Sequence, residues 1–253
     1  MPGNPTITYA ALCRSLSRER LAAYSLETDT DSIDAVARYQ WNMALCAAMT
    51  PMLHLVEVAF RNAIYSAGVQ TTAGRPLKWR VIPCWLDAAP SLLEPREERD
   101  VVEAVMRLGK NPRRHTPGHL VGQLGFGFWL RLCNRPYEHG RASGPQLWPA
   151  ATKYFPGCPQ SSRNRTDISR AFGDVRDFRN LVAHHQPIWD RDPVGQHQAA
   201  LQLLAEPEPR RRRGGAINGG EGACGWARTL SSSTGSLLHD LIEENSPPFR
   251  VSV

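Results

Sequence analysis

Apolar residues recur along this chain at the three- and four-residue spacing of amphipathic helices. The spacing predicts a short helix within residues 8–24 and a second one over residues 33–49. Thr50-Pro51 has the form of an N-cap followed by a first helical residue, which opens a further helix that stops at Gly68. In an alternative interpretation, Pro51 only kinks one long helix.

The same periodicity continues through the middle of the chain. One helix begins at Ser91 or Pro95 and ends at Leu108, and another begins at Thr116-Pro117 and runs to Leu132. Three glycines inside the latter would each cost about 1 kcal/mol relative to alanine, which we interpret as close helix packing. These glycines are Gly122, Gly125 and Gly127. A last helix follows Val194, and no convincing pair of strands is found, so we predict an all-α helical bundle.

A dense polar cluster lies at the end of the best-defined helix. Between Ile168 and Val182 the apolar residues form one stripe at about 100° per residue, with Thr166 as the predicted N-cap. Pro187 should end this helix at or before Gln186. Arg179 lies near the middle of the apolar stripe, where a guanidinium is rare unless it is paired or lines a site.

The motif that extends from Arg176 to Pro187 has the residue types that metal-independent RNA cleavage requires. In that reaction the 2′-OH attacks the adjacent phosphate, so one group must remove a proton and another must protonate the departing 5′-oxygen. Histidine suits these proton transfers, and arginine suits the developing charge because it binds phosphate bidentately. Arg176, Asn180 and His184 follow at i, i+4 and i+8 and share one helix face, and Asn180 can orient a histidine or a phosphate.

One copy of the motif is short of groups for this reaction. His184 and His185 point about 100° apart, and Arg179 and His184 about 140° apart, on a regular helix. A twofold dimer of motif helices would supply the missing groups, and it would explain an arginine on a packing face. In the alternative interpretation, the Arg and His side chains only bond the last carbonyls of the helix and favour its dipole.

The composition of the chain bears on its binding partners, its metal content and its cellular compartment. The net charge is +6 and the pI is about 9.2, which favours an anionic partner, with nucleic acid ahead of membrane. No cysteine pair or Cys/His spacing indicates a zinc site, so we predict no metal and no cofactor. We find no signal peptide and no segment near the ~20 apolar residues of a membrane span, and we expect a cytoplasmic protein with free thiols.

The pattern fails after residue 205. Residues 206–253 are rich in Gly, Ser and Arg and include four consecutive arginines from Arg210 to Arg213. We predict that this tail is largely disordered, with a helical turn from Leu237 to Ile242.

The motif resembles a known family. Arg179-Asn180-Leu-Val-Ala-His184 is similar to the Arg-x4–6-His signature of HEPN (higher eukaryote and prokaryote nucleotide-binding) domains. The longer pattern, with Arg176, His185 and Pro187-Ile188, resembles the Abi-like (abortive infection) branch. Three further stretches resemble that branch, in the same order: Tyr39-x-Trp41-Asn42, Glu57-Val-Ala-Phe-Arg61-Asn62-Ala-Ile64, and Gly125-Phe-Gly127-Phe128-Trp129 leading to Leu147-Trp148.

The resemblance covers about residues 8–205 and implies one Abi-like HEPN domain. It implies a homodimeric, metal-independent endoribonuclease that acts as a toxin in phage defence, and it allows for an antitoxin. Arg179 and His184 match the catalytic pair, Asn180 supports them, and Arg176 and His185 are further supporting residues. Glu57 and Arg61, also predicted to support the site, match a helix of the family and lie at i, i+4, where a role in the site and a structural ion pair are equally compatible with the pattern.

Overall fold

A computed structural model describes residues 9–26, 32–109, 115–139, 146–204, 236–238 and 240–242. Most of the described residues lie in helices, which confirms the predicted all-α class. Its helices are α1 (Tyr9–Leu16), α2 (Arg18–Ala22), α3 (Ser32–Thr72), α4 (Pro95–Arg107), α5 (Pro117–Gln123), α6 (Phe126–Arg131), α7 (Pro136–His139), α8 (Arg165–Ala183) and α9 (Pro193–Leu204).

One short strand pair departs from the prediction of no strands. The strands β1 (Lys78–Trp79) and β2 (Ala88–Ala89) pair in antiparallel register. The Asp87 carboxylate supports the loop between them, because it accepts the backbone N–H groups of Val81 at 2.8 Å and Ile82 at 2.7 Å. Two residues per strand are too few for periodicity to reveal, so only the folded loop shows the pair.

Helix α3 is one continuous helix of 41 residues with Pro51 inside it. The single-helix alternative is therefore correct, and the predicted stop at Gly68 is wrong. Pro51 itself is exposed, while Leu53, Val56 and Phe60 beyond it are buried. Burial of that stripe offsets the hydrogen bond that proline removes, because each large apolar side chain contributes about 1.5–3 kcal/mol.

Helix α3 also bears on the expectation that no segment could span a membrane. Residues Asp34–Thr72 are long and apolar enough to do so, with a mean hydropathy of 1.6 in the best window. The expectation that no segment is long and apolar enough to cross a membrane is thus wrong. In that window 44% of the residues are buried within the protein, and the core helix of a soluble protein passes the same test, so the helix is weak evidence for a membrane.

Two helices that the periodicity predicts are each divided by a break. The helix predicted within residues 8–24 breaks at Ser17, whose φ of 67° lies in the left-handed region. The helix predicted from Thr116 to Leu132 breaks at Gly125, which has extended backbone angles and begins α6. A Cβ on Gly122 or Gly125 would meet nothing within 4 Å, so the close packing inferred from these glycines is wrong. Pro95 as the first residue of α4 and Thr116 as the N-cap of α5 are confirmed.

Close packing occurs at a different glycine. Gly68 lies on α3, and a Cβ there would overlap the indole of Trp85. Trp85 is buried and donates its Nε1–H to the carbonyl of Tyr65 at 3.1 Å. The missing side chain of Gly68 therefore lets a large aromatic ring lie directly on the helix backbone.

The chain forms two compact units. Unit 1 comprises Met1–Met52, Phe178–Gln198 and Gly225–Val253, and unit 2 comprises Leu53–Asp177 and Ala199–Cys224. The prediction of one domain over residues 8–205 stays a prediction.

The core of unit 1 contains Leu21, Tyr24, Ala35 and Tyr39, and the partly buried Trp189 packs against it. The rings of Tyr24 and Tyr39 meet edge to face, with their centroids 5.2 Å apart.

In unit 2, aromatic rings form the centre of the core. Phe60 stacks on Phe172 with ring centroids 4.4 Å apart, and both rings contact Phe155. A buried polar network lies in the same unit. Arg131 donates to the buried Glu97 carboxylate at 2.6 Å, and the Tyr137 hydroxyl donates to it at 3.0 Å.

The predicted tail falls mostly outside the described residues. Residues 236–238 and 240–242 are helical, which agrees with the turn predicted from Leu237 to Ile242. Leu238 is 2% exposed, and the Trp41 indole donates to the carbonyl of Leu241 at 2.9 Å. This segment is thus part of the packing of unit 1.

Candidate functional site

Helix α8 is the motif helix, and its register agrees with the sequence. Its buried positions are those of the predicted stripe: Ile168, Phe172, Val175, Phe178 and Val182. The predicted N-cap at Thr166 is wrong, because the helix begins at Arg165. Asn164 caps it, with its Oδ1 accepting the backbone N–H of Asp167 at 3.0 Å.

The helix ends at Ala183, before Pro187 as predicted, and the chain then turns sharply. His185 adopts a left-handed conformation with φ 49°. Its N–H bonds the carbonyl of Val182 at 3.1 Å, and the N–H of Gln186 bonds the carbonyl of Leu181 at 2.9 Å. This pair of bonds is a Schellman motif, which usually has glycine at the left-handed position.

Three side chains from the N-terminal part of the chain bind the next carbonyls. Arg20 donates Nη1–H to the carbonyl of His184 at 3.4 Å, and the Tyr24 hydroxyl donates to that of His185 at 2.8 Å. The Asn42 amide donates to the carbonyl of Gln186 at 3.0 Å. Side chains from α2, from the turn that follows it and from α3 therefore bind three consecutive carbonyls in the segment after the motif helix.

Asn42 is the centre of this arrangement. Its side chain is completely buried, and its second N–H donates to the Tyr24 hydroxyl at 3.0 Å. Its Oδ1 accepts the backbone N–H of Ile188 at 2.8 Å. Every strong donor and acceptor of the amide is thus used. Burial raises the pKa of Tyr24, so this hydroxyl remains protonated and able to donate.

The candidate catalytic residues lie on and just beyond the last turns of α8, within unit 1. Arg179 is half-buried, in agreement with its place on the stripe, and its Nη1 lies 3.4 Å from Oδ1 of Asn180. Asn180, His184 and His185 are exposed. The N–H of His184 still bonds the carbonyl of Asn180 at 3.1 Å, so the helix is regular up to His184.

The two imidazole rings are not used to cap the helix. Within the described part of the chain neither ring makes a hydrogen bond, and the carbonyls of residues 184–186 are bound by Arg20, Tyr24 and Asn42 instead. The interpretation in which the histidines bond the helix's last carbonyls therefore lacks the contacts it requires. Both side chains are presented to solvent.

Three predicted supporting residues belong to unit 2. Arg176 pairs with its neighbour Asp177, with Nη2 and Oδ1 2.7 Å apart, and this pair is exposed to solvent. Glu57 and Arg61 are half-buried on α3. The Arg61 Nε atom is buried and has no hydrogen-bond partner among the described residues.

The periodicity of the sequence did not reveal Arg20 and Tyr24 as parts of the site. The two residues are four apart on a short helical segment, which indicates that they share a helix face but does not indicate which residues they contact. Asn42 appears only within a stretch that carries the family resemblance. Its distance of more than 140 residues from the motif explains why periodicity could not connect the two.

Other chemically relevant groups lie elsewhere. Among the described residues, no three His, Cys, Asp or Glu side chains come together as metal ligands. The described cysteines are unpaired, and burial raises the pKa of Cys46 to about 11 and that of Cys133 to about 12. A groove of about 480 Å³ runs along α4 and is lined by Pro95, Glu98, Arg99, Val102, Glu103 and Met106.

Comparison of the chain with protein-family models, curated proteins and solved structures finds no match.

Proposed function

We propose that this protein is a metal-independent endoribonuclease whose active site is the end of helix α8. The proposal rests on the observation that different side chains bind the backbone after this helix and face the solvent. Other residues bind the carbonyls of residues 184–186, while the side chains of His184 and His185, which follow the half-buried Arg179 in sequence, remain exposed. Surrounding groups that hold the backbone of a candidate catalytic residue are one requirement of a catalytic site.

The proposed reaction cleaves RNA at a phosphodiester. The 2′-oxygen forms a bond to phosphorus, the bond from phosphorus to the 5′-oxygen breaks, and a 2′,3′-cyclic phosphate and a 5′-hydroxyl result. The 2′-OH loses its proton and the departing 5′-oxygen gains one; His184 takes part in this proton transfer, and Arg179 stabilises the negative charge of the transition state. Asn180 supports Arg179, with which it is in contact.

A homodimer completes the site in this proposal. Arg179 and His184 are five residues apart on a regular helix, which separates them by about 7.5 Å along the axis and about 140° around it. A second copy of α8 across a twofold axis would place His184 of one chain near Arg179 of the other. Such an arrangement would bring the proton-transferring histidine and the charge-stabilising arginine to one phosphate.

The biological setting extends the same proposal. A growth-arresting RNase in abortive infection would act in the cytoplasm on RNA, without a cofactor, and an antitoxin would restrain it. A second candidate is a non-catalytic RNA-binding or regulatory module, which the net charge of +6 favours independently of the histidines.

The test is cleavage of a labelled RNA by purified protein in the presence of EDTA. We expect the wild type to give a cyclic-phosphate product, and Arg179→Ala and His184→Ala each to lose at least about a hundredfold in rate. His54→Ala and Arg99→Ala are matched controls at exposed positions of α3 and α4 and should retain full activity. Cleavage that persists in both motif variants would refute the catalytic assignment, and RNA binding without cleavage by the wild type would favour the second candidate.

A mixing experiment tests the dimer. Arg179→Ala and His184→Ala proteins, each inactive alone, should regain part of the activity when they are unfolded and refolded together. In a mixed dimer, one composite site contains both substitutions and the other contains neither. Absence of any recovery, with mixed dimers shown to form, would mean that each chain has its own site.

A further inference from the structure

Helix α2 places an arginine against the backbone carbonyl of the proposed catalytic histidine. Ser17 begins the helix, and its Oγ accepts the backbone N–H of Arg20 at 3.2 Å. The left-handed conformation of Ser17 costs on the order of 1–3 kcal/mol, and such conformations concentrate at functional sites. The break at Ser17 sets the direction of α2, and α2 in turn presents Arg20 to the carbonyl of His184.

Buried neighbours in the same segment hold the backbone of Arg20 in place. Leu21 and Tyr24 of the same segment are buried in the core of unit 1, and Tyr24 binds the carbonyl of His185. Arg20 itself is exposed. A guanidinium has five N–H groups, and one of them contacts the carbonyl of His184 in the described part of the chain. Among the described residues no other hydrogen-bond partner of the Arg20 guanidinium is found, so its remaining donors can bind a ligand at the surface.

The surrounding segment is basic. Residues 9–26 contain Arg14, Arg18 and Arg20 and one carboxylate, Glu19, which is a net charge of +2. Hydrogen bonds from the backbone and from Ser17 lower the pKa of Glu19, so its carboxylate is engaged at the start of α2. Arg20 is thus a charged group at the edge of the proposed active site, and the segment that carries it contains two further exposed arginines.

We propose that Arg20 binds a phosphate of the RNA strand next to the phosphate that is cleaved. This inference rests on the proposed function, since it names a substrate contact of the same site. A planar guanidinium recognises phosphate bidentately, and most contacts between proteins and nucleic-acid strands go to phosphate and sugar. The contact carries no sequence information, so it positions any single-stranded RNA against His184.

The experiment measures binding separately from cleavage. The full chain carries His184→Ala so that it cannot cut, and its affinity for a labelled single-stranded RNA is determined by fluorescence anisotropy over a range of salt concentrations. Arg20→Gln removes the charge, and Arg20→Lys keeps it. Arg99→Gln is the matched control, because it removes an exposed arginine from α4. Circular dichroism verifies that each variant is folded.

We expect Arg20→Gln to bind about tenfold more weakly. The slope of log K against log salt should become shallower by about 0.7, the value for one contact to a single strand. Arg20→Lys should keep the slope, which distinguishes a phosphate contact from a structural role at the helix end. Arg99→Gln should leave both quantities unchanged.

Two results would overturn the proposal: an unchanged slope in Arg20→Gln, or an equal loss in Arg99→Gln. Cleavage by the protein with His184 intact is measured in parallel. Cleavage together with an unchanged slope refutes the Arg20 contact alone. The expected change of slope without cleavage supports the contact and refutes the catalytic proposal.

Discussion

Replacement of Asn42 by leucine should destabilise the segment that follows the motif helix, residues 186–188. Leucine has the same number and branching of side-chain heavy atoms as asparagine, and it removes all three of the strong hydrogen bonds of Asn42, which reach Tyr24, Gln186 and Ile188. Ile188 is completely buried, so its backbone N–H would have no replacement partner in water. The substitution therefore tests whether this buried amide determines the path of residues 186–188.

The expected loss follows from these contacts. Each of the three bonds contributes about 1 kcal/mol net, and the stranded N–H of Ile188 adds a desolvation cost of about 1–3 kcal/mol. The carbonyl of Gln186 costs less, because Gln186 is exposed and water can reach it. The free energy of unfolding should fall by about 3–5 kcal/mol, a large part of the 5–15 kcal/mol typical of a whole protein.

Two measurements at constant pH test this value. Urea titration gives the global loss, and hydrogen exchange of the Ile188 amide reports the local one, at about tenfold faster exchange per 1.4 kcal/mol. Gln40→Leu is the matched control, since it makes a similar change at an exposed position on the same helix. That variant should change the unfolding free energy by less than about 0.5 kcal/mol.

A double-mutant cycle measures the coupling between Asn42 and Tyr24. Tyr24→Phe removes the hydroxyl that links Asn42 to the carbonyl of His185. Because the two residues share one bond, we expect their effects to be non-additive by about 0.5–3 kcal/mol. A loss below 1 kcal/mol in Asn42→Leu, or strict additivity with Tyr24→Phe, would falsify the view that one connected network holds this segment.

Two further predictions concern other parts of the chain. Gly68→Ala places a methyl group where the Trp85 indole lies, so overpacking should lower the unfolding free energy by about 1–3 kcal/mol in urea titration, whereas Gly122→Ala, with open space, should be neutral or stabilising. Burial lowers the pKa of His197 in the folded protein, so the unfolded state binds the proton more readily. Stability should then fall as the pH decreases below about 6.5, by at most about 1.4 kcal/mol per pH unit, and His197→Gln should have a flatter pH dependence of its urea midpoint; equal slopes would contradict this.

The sequence alone determined the local structure of the motif helix. Its stripe from Ile168 to Val182 is buried as the periodicity predicted, and the helix ends before Pro187. Local sequence suffices here because the 3.6-residue repeat and the geometry of proline act within a few residues. The same reasoning yields the all-α class and the partial burial of Arg179.

Periodicity was least reliable where packing outweighs propensity. Helix α3 continues through Pro51 and Gly68, although each residue is a common helix breaker. The apolar stripe on both sides of Pro51 and the Trp85 ring against Gly68 offset their cost. The opposite happens at Ser17 and Gly125, where the helix breaks within an apolar repeat that continues.

Only the tertiary structure decided how the motif is held. The contacts of Arg20, Tyr24 and Asn42 with residues 184–188 join parts of the chain separated by 144 to 164 residues. No local pattern encodes such a pairing, because it depends on which buried groups meet once the core of unit 1 has formed. The polar residues of the motif can be read from the sequence, whereas the exposure of His184 and His185 and the side chains that bind the carbonyls of residues 184–186 are seen only in the folded chain.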